Sequence, residues 1–178
     1  MENDQQKSPL PERWLRGPVQ NIILPLQPVA HSLLQAQDEI NEMMIAFPSQ
    51  FLWENVAGKA SVGFHLQHIA GVQGRLFTYA ENKPLSDLQM SELKSEGKRN
   101  EEYSVAYLLD KLNGQFHQSL NRLSLFTEEK IREERKVGRK QLPSSVLGLL
   151  FHSAEHTMRH TGQLLVTIAV FKNNHPNS

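Results

Sequence analysis

Apolar residues recur at helical spacing in four long segments of the chain, whereas no segment alternates apolar and polar residues as a strand would. The first segment is entered through two prolines and ends before Pro48. The second begins after Ser61, whose side chain can cap a helix, and ends before Pro84. The apolar positions of these two predicted helices are Val29, Leu33, Ile40, Met44 and Phe47 in the first, and Val62, Ile69, Val72, Leu76 and Tyr79 in the second.

Two more helices are predicted in the second half of the chain. One carries an apolar stripe at Leu108, Leu112, Phe116, Leu120 and Leu123. The other begins at Ser144 or Ser145 and runs to about Lys172, so that its roughly 29 residues would span about 43 Å. Of the two long connectors, the first is predicted to be a loop with a short helical piece after Ser86, and the second, 127–143, a charged and solvated connector.

Four long amphipathic helices without strands or repeats predict an all-α four-helix bundle, and the two long connectors leave room for crossover connections. A chain of 178 residues fits one such domain. We expect the bundle to occupy residues 21–172, between an N-terminal extension, 1–20, and a C-terminal tail, 173–178. Sites in such bundles are built from side chains that facing helices turn inward.

Composition and charge exclude several kinds of site and partner. The 19 basic and 19 acidic residues cancel, so no overall field favours nucleic acid or an anionic membrane. The absence of cysteine excludes disulfides, thiolate zinc sites, iron–sulfur clusters and a cysteine nucleophile. No apolar run approaches the roughly 20 residues that span a bilayer, and the polar first residues do not resemble a secretory signal. We therefore expect a cytoplasmic protein that binds neither nucleic acid nor membrane.

Histidine is the residue type that stands out. In the last predicted helix, His156 and His160 are four residues apart, so they lie on one face within reach of a shared ion, although such a pair also arises by chance. In the second predicted helix, His68 falls among the core-facing apolar residues, so its imidazole needs either a metal ion or a hydrogen-bond partner. Because Thr157 follows His156, the HExxH pattern of zinc proteases is absent.

Neighbouring polar residues are candidates for supporting roles. His152, one turn before His156, could relay protons or orient a ligand, or it could simply be hydrogen-bonded within the bundle. Glu155 could bind an imidazole, but we favour an ion pair with Arg159 at the i, i+4 spacing. His31 of the first helix could approach the same cavity. Two further histidines, His117 and His175, are expected to be exposed.

Four stretches of the chain resemble the DinB/YfiT-like superfamily of four-helix-bundle metalloproteins. They are WLRGPV with LQPVAHSLLQAQ, SVGFHLQHIAGVQGRLFTYA, RKVGRKQLPSSVLGLLFHSAEH and HTMRHTGQLL, and their order and spacing agree with the family. The resemblance implies a divalent metal bound by His68, His156 and His160, which we call the histidine triad, with His65 as a non-ligand. Gly74 departs from the family pattern, in which we expect an acidic residue there, but it lies outside the triad.

The resemblance also implies a metal-dependent enzyme. Three neutral imidazoles suit zinc or nickel first, with manganese or iron as alternatives, and they leave a coordination position for water or substrate. Some relatives transfer low-molecular-weight thiols to electrophiles and others are hydrolytic, so we expect a thiol transferase or hydrolase acting on a small molecule. The alternatives are a non-enzymatic, stress-related helical binding protein with a structural or vestigial metal site, and a metal-free core packed around hydrogen-bonded histidines. We also expect a homodimer through leftover apolar helix faces, such as that of Leu33, Met43 and Met44.

Overall fold

Five α-helices and one β-hairpin form the part of the chain that the structure, a computed structural model, describes, residues 10–174. The predicted exposure of His175 and parts of both predicted terminal segments lie outside the described residues. The elements are α1 (Gln27–Met43), α2 (Val62–Ala80), α3 (Asp87–Ser95), α4 (Val105–Leu123), β1 (Glu134–Val137), β2 (Leu142–Ser145) and α5 (Val146–Asn174). Short 3₁₀ turns lie at Arg13–Leu15, Leu24–Leu26, Ser49–Phe51 and Lys130–Arg132.

The four long helices pack as a bundle in which each contacts two neighbours. α5 packs against α1 and α2, and α4 packs against the same two helices from the other side. The all-α prediction is therefore confirmed. Leu33 and Met44, predicted to belong to a leftover dimerisation face, are instead buried in this core, because the face of α1 that bears them is covered by the bundle. No helix within residues 10–174 is long and apolar enough to cross a membrane.

Serine side chains begin several helices, as their positions in the sequence predict. Ser61 Oγ accepts a hydrogen bond from the backbone N–H of Phe64 at the start of α2. Of the two serines that could open the last helix, Ser145 takes the role, since its Oγ accepts from the N–H of Gly148 at 3.0 Å. Ser86 forms a capping box at α3, so the helical piece expected in the first connector is a nine-residue helix.

The second connector differs from its expected form, because part of it folds into an antiparallel hairpin. β1 and β2 pair with Glu134 opposite Ser145 and Val137 opposite Leu142. Arg135 of β1 is buried, and its Nε donates to the carbonyl oxygen of Ala80 at the end of α2, 2.8 Å away. The carbonyl oxygen of Ala80, far away in the sequence, therefore anchors the hairpin, although the charged residues of this segment predict a solvent-exposed connector.

The described part of the predicted N-terminal extension lies along α1. Arg13 donates from Nε and Nη2 to the two carboxylate oxygens of Asp38, both at 2.6 Å. Gln27 holds the same segment through hydrogen bonds with the backbone N–H and carbonyl of Val19. The division of the chain into residues 1–20, 21–172 and 173–178 stays a prediction.

Candidate metal centre

Three imidazoles meet between α2 and α5. His68 of α2 lies with His156 and His160 of α5, and one nitrogen of each lies within 4.8 Å of one nitrogen of the other two. Helical spacing stacks the two α5 histidines on one face, with their ring centroids 4.6 Å apart. The histidine triad is half-buried and could hold a divalent metal ion, and the assignment of these side chains as ligands stays a prediction.

The two nitrogens of His68 face different groups. Nε2 lies 2.9 Å from Nε2 of His156, inside the triad. Nδ1 lies 2.8 Å from Oε2 of Glu96, which can accept its proton. A metal-binding imidazole commonly donates its other N–H to a carboxylate in this way, which fixes both the tautomer and the ring orientation.

His65 supports the triad from the side of His160. Its Nδ1 lies 3.1 Å from Nδ1 of His160, which leaves Nε2 of His160 for an ion. The side chain of His65 is buried and lies outside the group of three that could share one ion, and its role as a non-ligand stays a prediction. The third triad residue, His156, has a buried Nδ1 without a hydrogen-bond partner among the described residues.

Electrostatics keep most of these imidazoles neutral. Burial, with a smaller contribution from the neighbouring His68, lowers the pKa of His65, His156 and His160 to about 4. At neutral pH each of these three rings therefore carries a free lone pair. That is the form in which histidine binds a metal ion.

Phe64 closes one side of the triad with an aromatic ring. It stacks on His68 with ring centroids 4.9 Å apart and an interplanar angle of 14°. The same ring contacts His65 edge-on and lies 6.2 Å from the centroid of His160. The triad therefore has an apolar wall that limits the rotation of its imidazoles.

Glu96, at the end of α3, is a site residue that the sequence did not reveal. Its side chain is 9% exposed, and Oε1 accepts a hydrogen bond from Arg75 Nη1 at 2.5 Å. Burial alone raises the pKa of Glu96, but the hydrogen bonds from His68 and Arg75 outweigh it and leave the pKa below its usual value. In the sequence it is one acidic residue among several in a polar connector, so no local pattern distinguishes it.

Comparisons with known proteins agree with the fold and the family resemblance. The family model of the DinB superfamily matches residues 32–164. This chain belongs to the DinB superfamily. The crystal structure of a Streptococcus pneumoniae protein, determined by the Northeast Structural Genomics Consortium, superimposes with a TM-score of 0.61. That match covers 84% of this chain and 90% of the other at 12% identity, which shows the fold alone. No curated protein matches the chain.

Two of the candidate supporting residues of this DinB-superfamily chain lie at the rim of the triad. His152 is exposed, and its Nδ1 lies 3.3 Å from Oε2 of Glu155. Glu155 also forms the ion pair with Arg159 that its spacing predicts. His152, Glu155 and His156 make a second group whose polar atoms are close enough to share an ion, and within it Arg159 binds one of the two carboxylate oxygens, Oε1 of Glu155. Their roles in proton transfer stay predictions.

Two other histidines are engaged outside the triad. His31, which could have approached the same cavity, contacts the N-terminal segment instead: its Nε2 lies 3.0 Å from the carbonyl oxygen of Gly17, and it is not part of the triad. His117 is exposed, as predicted, and its Nδ1 lies 3.3 Å from Nδ2 of Asn121.

A cavity of about 460 Å³ lies between α2, α3 and α4, behind the triad. Arg75, Glu96 and Gly74 are among the residues that line it. A Cβ at Gly74 would lie 3.2 Å from Gln115 Oε1. The acidic residue expected at this position in the DinB family would therefore project toward α4, and not toward the triad.

Proposed function

We propose that this protein is a metal-dependent enzyme whose divalent ion is held by His68, His156 and His160. The observation that carries the proposal is that in two of these rings, His68 and His160, one nitrogen has a hydrogen-bond partner outside the triad and the other nitrogen does not. Glu96 engages Nδ1 of His68 and His65 engages Nδ1 of His160, so Nε2 of both rings remains for a shared ion. Histidines packed in a metal-free core also need hydrogen-bond partners, but nothing in such a core requires the partners to leave Nε2 of two rings facing one shared point.

The donor set favours zinc or nickel, with manganese and iron as alternatives, because neutral imidazoles suit borderline divalent ions. Three protein ligands leave at least one position for water or substrate, as in catalytic zinc sites. When bound, such an ion would lower the pKa of a coordinated water or hold a thiol as its thiolate.

The residues of the chain itself would bind the ion, orient its ligands and shield the site. Phe64 supplies an apolar wall, and the low pKa of His156 and His160 keeps them unprotonated for the ion. His152 is exposed at the rim and can exchange protons with solvent. The proposed reaction is transfer of a low-molecular-weight thiol to an electrophile, or hydrolysis of a small molecule. A homodimer and a cytoplasmic location stay predictions.

The first test is metal content by plasma mass spectrometry on protein purified without chelator or nickel resin. We expect about one equivalent in the wild type and almost none in a folded His156→Ala/His160→Ala variant. His117→Ala, which removes an exposed histidine outside the triad, is the matched control and should keep the metal. Absence of metal from the wild type, with none taken up from added zinc, nickel or manganese, would contradict the proposal.

The second test separates an enzyme from a binding protein with a structural metal. Metal-loaded wild type is screened with small thiols and electrophiles and with hydrolysable esters and amides. Turnover that is lost in the triad variant supports an enzyme. Metal binding without turnover of any of them supports the non-enzymatic alternative.

A further inference from the structure

The connector after α3 brings a buried carboxylate to the outer side of His68. Each oxygen of Glu96 has its own partner, since Oε2 faces His68 Nδ1 at 2.8 Å and Oε1 accepts from Arg75 at 2.5 Å. The side chains of Arg75 and Glu96 are 10% and 9% exposed. A charged pair that is so largely removed from water is held in one geometry, because either partner alone would be a buried, uncompensated charge.

The backbone around Glu96 is docked on α2 by contacts that do not involve His68. The N–H of Gly97 donates to Gln67 Oε1 at 2.8 Å. Gly97 has a φ of +75°, and a Cβ there would lie 2.8 Å from the ring of Phe64, so only glycine fits this close approach. Gly71 of α2 leaves room for the ion pair, since a Cβ at that position would overlap Glu96 Oε1 and Arg75 Nη1.

We propose that Glu96, fixed by Arg75, is a positioning residue that holds His68 with its proton on Nδ1 and its Nε2 lone pair facing the triad. The metal-binding consequence rests on the proposed function, whereas the tautomer does not. Arg75 donates to Oε1 of Glu96, which leaves Oε2 to accept from the Nδ1–H of His68. His68 can then bind an ion through Nε2 alone.

A glutamate within α3 provides a matched control. Glu92 pairs with Lys111 at 2.6 Å, and the side chains of Glu92 and Lys111 are 34% and 39% exposed. Glu92 therefore lies one turn before Glu96 and also pairs with a cation, but within residues 10–174 it has no imidazole partner. Glu92→Gln should leave His68 unchanged.

The isosteric variant Glu96→Gln tests the tautomer directly. Its amide has one oxygen, which the cationic Arg75 should take, so the NH₂ group faces His68 Nδ1 and can only donate to it. Long-range ¹H–¹⁵N spectra of metal-free protein, assigned with His68→Gln, should show Nδ1–H in the wild type and in Glu92→Gln. They should show Nε2–H in Glu96→Gln. An unchanged Nδ1–H tautomer in Glu96→Gln would overturn the proposal.

A second variant distinguishes positioning from a general packing defect. In Arg75→Met/Glu96→Gln the amide oxygen is free to turn toward His68, so the Nδ1–H tautomer should return in part. A double variant that keeps Nε2–H, like Glu96→Gln, contradicts the role given to Arg75. Circular dichroism melts establish that each variant compared is folded.

Zinc competition with a chelating dye measures the consequence for the metal. We expect Glu96→Gln to weaken zinc binding roughly 10- to 100-fold, with Glu92→Gln equal to the wild type. If the wild type binds no metal, the proposed function fails while the tautomer spectra still decide the role of Glu96. If zinc binds equally to the wild type and Glu96→Gln, the positioning role fails while the metal site stands.

Discussion

Nε2 of His68 and Nε2 of His156 lie 2.9 Å apart, although the two residues are 88 positions apart in the sequence and belong to different helices. Two nitrogens at this distance share one proton in a hydrogen bond, or are drawn apart to share one ion. Because α2 packs on α5 in this way, a proton and a metal ion compete for the same two nitrogens. The stability of the bundle and its metal binding should be linked.

Zinc should stabilise the folded protein. A ligand that binds only the folded state adds about 2.7 kcal/mol at a concentration of 100 times its Kd. For a domain of this size that corresponds to a rise in Tm of about 5–10 °C. Differential scanning fluorimetry should show this rise in the wild type and in His117→Ala, and not in His156→Ala/His160→Ala. A rise of equal size in the triad variant would place the zinc elsewhere.

His65 should affect metal affinity without changing stoichiometry. His65→Phe keeps an aromatic ring at this buried position but removes the ring nitrogen that lies 3.1 Å from His160. We expect one equivalent of zinc to bind roughly 10-fold more weakly or worse, because loss of an outer partner loosens a ligand. Titration with a competing dye gives both quantities. Complete loss of binding, as expected for His160→Ala, would instead make His65 a ligand.

The metal-free protein should lose stability as pH falls from 6.5 toward 4. His65, His156 and His160 have folded-state pKa values of about 4, against an ordinary value of 6.5. Across this window the unfolded chain binds more protons than the folded chain, so the free energy of unfolding decreases as the pH decreases. Solvent screening at the half-exposed rings reduces the effect, and we expect a loss on the order of 2 kcal/mol between pH 7 and 5.

Urea unfolding in the presence of chelator, repeated between pH 7.5 and 5, measures this slope. Carboxylates ordinarily titrate near pH 4, so the upper part of the window reports mainly on histidine. His65→Phe should flatten the dependence, because one of the three shifted groups is gone. A free energy of unfolding that stays constant from pH 7 to 5 would contradict protonation-linked unfolding.

Gly71 should be required for the ion pair behind His68. Gly71→Ala places a methyl group where Glu96 Oε1 and Arg75 Nη1 lie, so the pair must shift and zinc affinity should fall several-fold. Gly114→Ala is the matched control, because Gly114 lies in α4 and no atom of the described residues lies within 4 Å of the added Cβ. It should stabilise the protein by about 0.5–1 kcal/mol through helix propensity. Gly71→Ala with wild-type zinc affinity would show that the pair tolerates displacement.

The features that could be predicted from the sequence are those fixed by local rules. Helix spacing located α1, α2, α4 and α5, with prolines marking the start of α1 and serine caps the starts of α2 and α5, because these signals act within a few residues. The i, i+4 relation of His156 and His160 and the core-facing position of His68 follow from the same periodicity. Their meeting across two helices follows only from the family resemblance, since spacing within one helix does not specify its neighbour.

The features that the sequence did not reveal depend on contacts between distant segments. Glu96 lies 28 residues from His68, in a connector where neither periodicity nor a motif indicates its direction. The hairpin contacts α2 through Arg135, whose backbone acceptor at Ala80 is 55 residues away. Both residues have charged side chains that are buried by the packing of distant segments, and this burial is why the sequence did not reveal their contacts.

Arg135 should be more important for stability than any neighbouring charge of the hairpin. Its guanidinium donates to the Ala80 carbonyl at the C-terminal end of α2 and to Glu133, and a cation at that end also interacts favourably with the helix dipole. Arg135→Met keeps the aliphatic stem but leaves a carbonyl without its donor. We expect a loss of about 1–3 kcal/mol in the free energy of unfolding.

Arg139→Met is the control for this change, because Arg139 is exposed in the turn of the same hairpin. Its effect should stay within about 0.5 kcal/mol, as for most surface substitutions. Urea unfolding measures both variants, and hydrogen exchange of the β1–β2 amides shows whether the hairpin opens locally or the whole bundle is weakened. Equal stability of the two variants would mean that the hairpin is held by its strand pairing alone. Faster exchange confined to the hairpin in Arg135→Met would show that the contact with α2 anchors the connector without supporting the core.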